Sequence, residues 1–178
     1  DSKIHTIYQQ ALTKTGRLSS KEPNLQNIPI RTEDGRVLRK VFEPSPGNVL
    51  LSFDYSQIEL RVLAEMGNVQ NLKNAFLADK DVHEETGKLI FKKSDISKAE
   101  RNIAKTINFS IIYGKTPWGL SEDLNIPLFK AKEFIDNYYA NYPEIQIMMD
   151  INQEFAKENG YVKTVFNRLI YINEIKSN

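Results

Sequence analysis

A helix-rich α+β fold with a small antiparallel sheet is what the sequence predicts. Three observations carry it: apolar residues at helical spacing fill most of the chain, one short apolar run reads as a strand, and a hairpin pattern stands near the C-terminal end. Taken in order, residues 1–40 come first. They hold Lys3, Lys14, Arg17, Lys21, Arg31, Arg36, Arg39 and Lys40 against Asp1, Glu22, Glu33 and Asp34. With Thr15, Ser19, Ser20, Asn24, Gln26 and Asn27 among them, two readings fit: a solvated extended segment, or a surface for phosphates and groove edges. Pro44 and Pro46-Gly47-Asn48 mark a turn. Val49-Leu50-Leu51-Ser52-Phe53 then reads as a buried strand with Asp54 at its C-terminal end. Ser56 and Glu59 have capping-box spacing, and Ile58, Val62 and Met66 recur at helical intervals. Helices are expected over 71–77 and 82–91, then from a Ser97 cap to about Tyr113. Pro127 begins another that reaches Tyr142, and Pro143 ends that one or opens the next, which runs through Lys157. Asn159-Gly160 is a stop signal, and 161–166 with 169–172 read as a hairpin across Asn167-Arg168.

Composition removes several classes. The 178 residues contain no cysteine and only His5 and His83. A disulfide scaffold, a thiol nucleophile and a histidine-rich metal site are therefore excluded. Lys and Arg total 24 and Asp and Glu 23, a net charge of +1, so no global basic excess points to nucleic acid. No apolar run approaches the roughly 20 residues a bilayer requires. The first residues lack a secretory layout and begin without Met. The expectation is a soluble, intracellular piece of a larger protein, with no membrane partner.

Three stretches carry chemistry. In Asp54-Tyr55-Ser56-Gln57-Ile58-Glu59-Leu60-Arg61, a carboxylate before a polar turn suits Mg²⁺, which takes one or two carboxylates and completes its shell with phosphate. The Tyr55 carbonyl offers a further oxygen, and Glu59 lies about one helical turn away. An N-cap aspartate beside a solvated glutamate fits the same residues. In the second stretch, Arg101, Lys105, Phe109 and Tyr113 recur every four residues and form one slowly winding stripe. Two cations then two aromatics suggest phosphates at one end and a stacked base at the other. An amphipathic helix with snorkelling cations also accounts for them. In the third, His83 of Asp81-Val82-His83 is either a structural hydrogen-bonding residue or a phosphate donor.

Together these stretches resemble the family A DNA polymerases, the bacterial polymerase I type. TGRLSSKEPNLQNIPIR from Thr15 is similar to the family's primer-template contact region. DYSQIELR at Asp54–Arg61 matches its first catalytic motif, and Arg101, Lys105, Phe109, Tyr113 and Gly114 match its second. The resemblance covers essentially the whole chain. It implies a partial palm over 1–65 and fingers over 66–178, with the helix at 97–113 closing on the nucleotide. It implies template-directed transfer of nucleotides from dNTP to a primer 3′-OH with two Mg²⁺ ions in the complete enzyme. Asp54 would ligate both metals with the Tyr55 carbonyl. Arg101 and Lys105 would hold the triphosphate, with Lys105 also protonating the leaving pyrophosphate. His83 would contact phosphates, and Phe109 would pack on sugar and base. Tyr113 would guard the insertion site, and Gln57 and Glu59 would line the sugar pocket, Glu59 excluding a 2′-OH. Arg17, Asn24, Gln26 and Asn27 would contact primer-template DNA.

The chain departs from the family in one large respect. Neither histidine is followed by Asp-Glu in the arrangement of the family's third motif, and the thumb is missing. The expectation is a palm–fingers fragment, inactive by itself, that partners with the remainder of its parent chain and does not oligomerise. Smaller departures are Ser110 for a common glycine, Trp118 for a Phe, Asn167 and Leu169 in the hairpin turn, and Asn173-Glu174 for Pro-Asp. A single-subunit phage-type RNA polymerase is the rival enzyme, opposed by Glu59 and Phe109. A non-catalytic nucleic-acid-binding module is the rival of another class, opposed by Asp54, Arg101 and Lys105 together.

Overall fold

The computed structural model of the chain describes residues 3–30 and 32–175, with residue 176 described by its backbone alone. Asp1 and Arg31, counted in the basic stretch, lie outside these residues. The chain divides after Asp54 into two units, residues 1–54 and 55–178.

In the first unit, strands β1 (Ile7–Gln9) and β2 (Ser19–Lys21) pair antiparallel, with Tyr8 opposite Ser20. A 3₁₀ turn covers Leu25–Asn27, and helix α1 spans Glu33–Arg39. Thr32 caps α1 by accepting from the Gly35 amide. Gly35 packs so closely that a Cβ there would lie 2.5 Å from the Pro29 carbonyl oxygen. Of the described residues in this unit, only Ser20 and Gly35 are buried. The 1–40 stretch is therefore more ordered than an extended segment, yet it has no apolar core.

The run Val49–Phe53 corrects the expected buried strand. It pairs with no strand among the described residues, and its apolar side chains are exposed, Phe53 by 90%. Apolar composition predicts burial only where a second surface is available to cover it. A strand likewise exists only where a neighbour completes its ladder. Asp54 thus follows an unpaired, exposed run and does not end a strand.

The second unit is helical. Its helices are α2 (Ile58–Met66), α3 (Gln70–Leu77), α4 (Val82–Phe91), α5 (Lys98–Ile112), α6 (Pro117–Leu124), α7 (Leu128–Asn141) and α8 (Pro143–Asn159). Strands β3 (Tyr161–Lys163) and β4 (Leu169–Tyr171) follow, and a 3₁₀ turn over Asn173–Lys176 ends the described part. Helix α4 packs against α5 and α7, α6 against α7, and α2 against α3. Leu60, Leu72, Val82, Ile107, Ile111, Leu120, Tyr138 and Ile145 form the centre of one apolar core. Burial of such side chains stabilises the unit by about 1.5–3 kcal/mol each. The Tyr138 hydroxyl is buried there with no hydrogen-bond partner among the described residues. No helix among the described residues is long and apolar enough to cross a membrane.

Most helix boundaries match the caps read from the sequence. Ser97 and Glu100 form the reciprocal capping box at the head of α5. Gly160, at φ +77°, ends α8 in the left-handed region that favours glycine. Two local readings are corrected. The N-cap of α2 is Gln57, left-handed at φ +52° and without a side-chain cap bond, rather than Ser56. The one-residue shift places Glu59 too early in the helix to close a capping box. The turn between β3 and β4 sits at Val165-Phe166, not Asn167-Arg168. Thr164 closes it, its carbonyl accepting from the Asn167 amide at 2.9 Å and its hydroxyl from the Arg168 amide at 3.1 Å. Helices α1 and α6 were not expected, although Thr116-Pro117 is an N-cap followed by an N1 proline.

Ile58, Val62 and Met66 do lie on one face of α2, but it is the open face; Leu60, Leu63 and Ala64 face the core. With Ile112 and Met148 the open face lines a shallow apolar cleft of about 320 Å³.

Candidate functional site

Helix α5 sorts its residues by side. Ala104, Ile107, Asn108, Ser110 and Ile111 are buried, whereas Arg101, Lys105, Phe109 and Tyr113 occupy the more open side. The cation–aromatic stripe read from the sequence is therefore a real surface of the second unit. Its base is firmly set: Glu100 also takes Lys93 Nζ at 2.6 Å, and that bond with those from Ser97 holds its carboxyl down at about 2.

The stripe is joined to α4 through Asp81. Asp81 Oδ1 caps α4 by accepting from the amides of His83 at 2.9 Å and Glu84 at 3.1 Å. Its Oδ2 accepts from Arg101 Nε at 2.8 Å and Nη2 at 2.5 Å. Burial alone would raise the Asp81 carboxyl, but these bonds and the Arg101 charge outweigh it and hold it below the usual range. The Lys105 side chain stands exposed one turn beyond Arg101 and makes no hydrogen bond or ion pair among the described residues.

His83 is buried at 2% exposure, its ring 5.8 Å from that of Phe109. Phe109 in turn stacks on Tyr113 at 6.5 Å with planes 17° apart. Asn108 Nδ2 lies 3.1 Å from His83 Nδ1. Behind it, Thr86 Oγ1 is 3.4 Å from Asn108 Oδ1 and 3.3 Å from the Tyr142 hydroxyl. Burial pushes the His83 imidazole below its ordinary value; Asp81 opposes this, and Arg101 and Lys105 reinforce it. The ring is thus a neutral hydrogen-bonding group beside two cations.

At the far end of the stripe, the Tyr113 hydroxyl donates to Glu59 Oε1 at 2.9 Å. Gln57, half-buried, sets the direction in which α2 begins. His83, Arg101, Lys105, Phe109, Tyr113, Glu59 and Gln57 all belong to the second unit. Direct contacts link His83 to Phe109, Phe109 to Tyr113 and Tyr113 to Glu59.

The residues expected to contact DNA lie in the first unit. Asn24 and Gln26 are bound into the hairpin. Ser20 Oγ donates to Asn24 Oδ1 at 2.9 Å, the Ser20 amide to Gln26 Oε1 at 3.0 Å, and Gln26 Nε2 to the Leu18 carbonyl at 3.2 Å. Asn27 and Arg17 are exposed.

Asp54 and Tyr55 are exposed neighbours in the chain. No group of three or more acidic or histidine side chains able to hold a metal occurs among the described residues. One carboxylate and one carbonyl suit a magnesium ion that draws the rest of its shell from water and phosphate, and fall short of a closed protein site.

Two residues escaped the reading from sequence: Asp81 as the partner of Arg101, and Asn108. The second had a visible signal. Ala104, Ile107, Asn108 and Ile111 fall at i, i+3, i+4 and i+7, so a polar side chain interrupts the core stripe of α5.

The family model described as DNA polymerase family A matches residues 1–178. DNA polymerase I of Geobacillus stearothermophilus is 48% identical over 178 residues, covering 98% of this chain and 20% of that protein. DNA polymerase I of Bacillus subtilis is 46% identical, covering 98% and 20%. That of Caldicellulosiruptor bescii is 44% identical, covering 98% and 21%. The chain thus spans about a fifth of the length of these curated relatives. Among solved structures, the polymerase domain of Pol1 from M. smegmatis in complex with DNA primer-template and dNTP matches with a TM-score of 0.88. It is 34% identical, and the match covers 98% of this chain and 31% of that one.

Proposed function

Since the chain belongs to DNA polymerase family A, we propose that it is the dNTP-holding portion of a DNA-directed DNA polymerase acting in replication and repair. Residues 1–65 are then part of a palm and 66–178 the fingers. The observation that carries this reading is the open side of α5, where Arg101 and Lys105 lead into the Phe109–Tyr113 stack with neutral His83 beside it. Guanidinium and ammonium groups one turn apart suit a triphosphate, and the adjoining rings suit a sugar and base.

Arg101, Lys105 and His83 bind the phosphates, and Lys105 donates a proton to the leaving pyrophosphate. Phe109 packs against the nucleoside, and Tyr113 guards the insertion position. Glu59, with Gln57, shapes the sugar pocket and rejects a 2′-OH. Arg17, Asn27 and the amide hydrogens that Asn24 and Gln26 have left contact primer-template DNA. Asp54, with the Tyr55 carbonyl, is the magnesium ligand of this chain. Bound magnesium would neutralise charge on the attacking and leaving oxygens. A single metal carboxylate motif does not complete a two-ion site, so the 178-residue chain has no extension activity without the rest of its polymerase. The setting is the bacterial cytoplasm, at the nucleoid.

Titration of the chain with a fluorescent dNTP tests the reading. Arg101→Ala and Lys105→Ala should each weaken binding about tenfold, the loss of one charge-assisted contact. Unchanged affinity in both variants would overturn it.

A further inference from the structure

We propose that Asn108 is a positioning residue, held by Thr86 and Tyr142, that fixes His83 as the imidazole protonated on Nε2 and so makes it a one-way hydrogen-bond donor. The inference rests on the reading that His83 meets the phosphates.

The argument is a proton count. The Thr86 hydroxyl carries one hydrogen and gives it to Asn108 Oδ1. Its contact with Tyr142 must then run the other way, with Tyr142 donating to Thr86 Oγ1. With Oδ1 accepting, the amide turns Nδ2 toward His83, and Nδ1 of the ring must accept. A neutral imidazole that accepts at Nδ1 carries its hydrogen on Nε2. Thr86 and Asn108 are fully buried and Tyr142 is 2% exposed, so no water competes for these bonds. A polar chain of this kind is costly to bury unless every member is satisfied. Here Tyr142, Thr86 and Asn108 each donate to the next member, and the chain ends at the His83 ring, whose charged form Arg101 and Lys105 disfavour.

The groups that face the ring agree with a neutral state. Burial, Arg101 and Lys105 disfavour the imidazolium, and only Asp81 favours it. A bare Nε2 lone pair would repel phosphate oxygens, whereas Nε2–H donates to them without adding charge to a site already holding two cations.

Long-range ¹H–¹⁵N spectra of the full 178-residue chain, labelled at histidine, read the tautomer directly, with His5 as the only other signal. The wild type should show His83 as Nε2–H at neutral pH. In Asn108→Asp a carboxylate faces Nδ1 and should draw the proton there. A wild-type ring protonated on Nδ1, or an unaltered tautomer in Asn108→Asp, would overturn the proposal. The second readout is dATP affinity of variant relative to wild type, across the imidazole titration range. The variant should bind about tenfold more weakly on the alkaline side and recover as its ring gains the second proton. A ratio flat with pH would also overturn the proposal, since a packing defect acts evenly. Should Asn108→Asp not fold, Thr86→Val removes the hydroxyl that orients the amide; both tautomers are expected there, and pure Nε2–H would count against the relay. If the wild type binds no dATP, the phosphate reading fails while the spectra still decide the relay.

Discussion

The two oxygens of Asp81 serve two helices: Oδ1 caps α4, and Oδ2 holds the guanidinium of Arg101 on α5 at 2.5 Å. One carboxylate thereby fixes Arg101 to the element that carries His83. Both side chains are about one third exposed, so the pair is partly screened and its stabilisation falls below that of a buried pair. Asp81→Ala, which loses the cap as well, should cost about 1–2 kcal/mol in urea unfolding. Asp81→Asn keeps an acceptor for the amides and should cost less. The pH sign follows from the lowered carboxyl: its contribution is present above the usual 3.8 and disappears as pH falls through the depressed folded value. Acid titrations of wild type and Asp81→Asn should therefore begin to converge as pH falls below about 4 and meet only below the depressed folded value.

Removing the Tyr138 hydroxyl should not harm the fold. It is buried without a partner, in a ring packed 4.9 Å from that of Tyr142. Tyr138→Phe should raise stability by about 1 kcal/mol, because an unsatisfied buried hydroxyl leaves. A loss of stability in urea titration would mean that the hydroxyl has a partner.

Substitution in the Val49–Phe53 run separates the exposed segment from the buried strand its composition suggests. Leu51→Ser and Phe53→Ser should each change the stability of the 178-residue chain by less than about 0.5 kcal/mol. Burial would instead cost roughly 2–5 kcal/mol for losses of this size.

Glu59 and Tyr113 form a pair whose effects should divide between binding and stability. Tyr113→Phe removes the 2.9 Å bond and should cost less than about 1 kcal/mol, since the site is open. Glu59→Ala should lower the preference for dATP over ATP about tenfold in competitive titration. An unchanged preference would remove Glu59 from the sugar pocket.

Legibility in the sequence followed locality. Ser97, Pro127, Pro143 and Gly160 mark their boundaries because caps act through adjacent backbone. The stripe on α5 was readable because helical spacing alone places its four members on one side. Val49–Phe53 misled because burial depends on what else is present to cover a segment, which no window of sequence contains. The Asp81–Arg101 and His83–Asn108 contacts join residues 20 and 25 positions apart. The packing of α4 on α5 creates them, and no periodicity within either helix announces them.

Gln57 enters α2 with φ at +52°, a torsion most side chains avoid. Its carbonyl accepts from the Arg61 amide at 3.1 Å, while the Ser56 carbonyl takes Arg61 Nε at 3.0 Å. The aim of the Glu59 carboxylate is therefore inherited from stereochemistry two residues upstream. A glycine at position 57 would relieve that torsion and loosen the start of α2 together, so a gain in thermal robustness would arrive with a less sharply aimed Glu59.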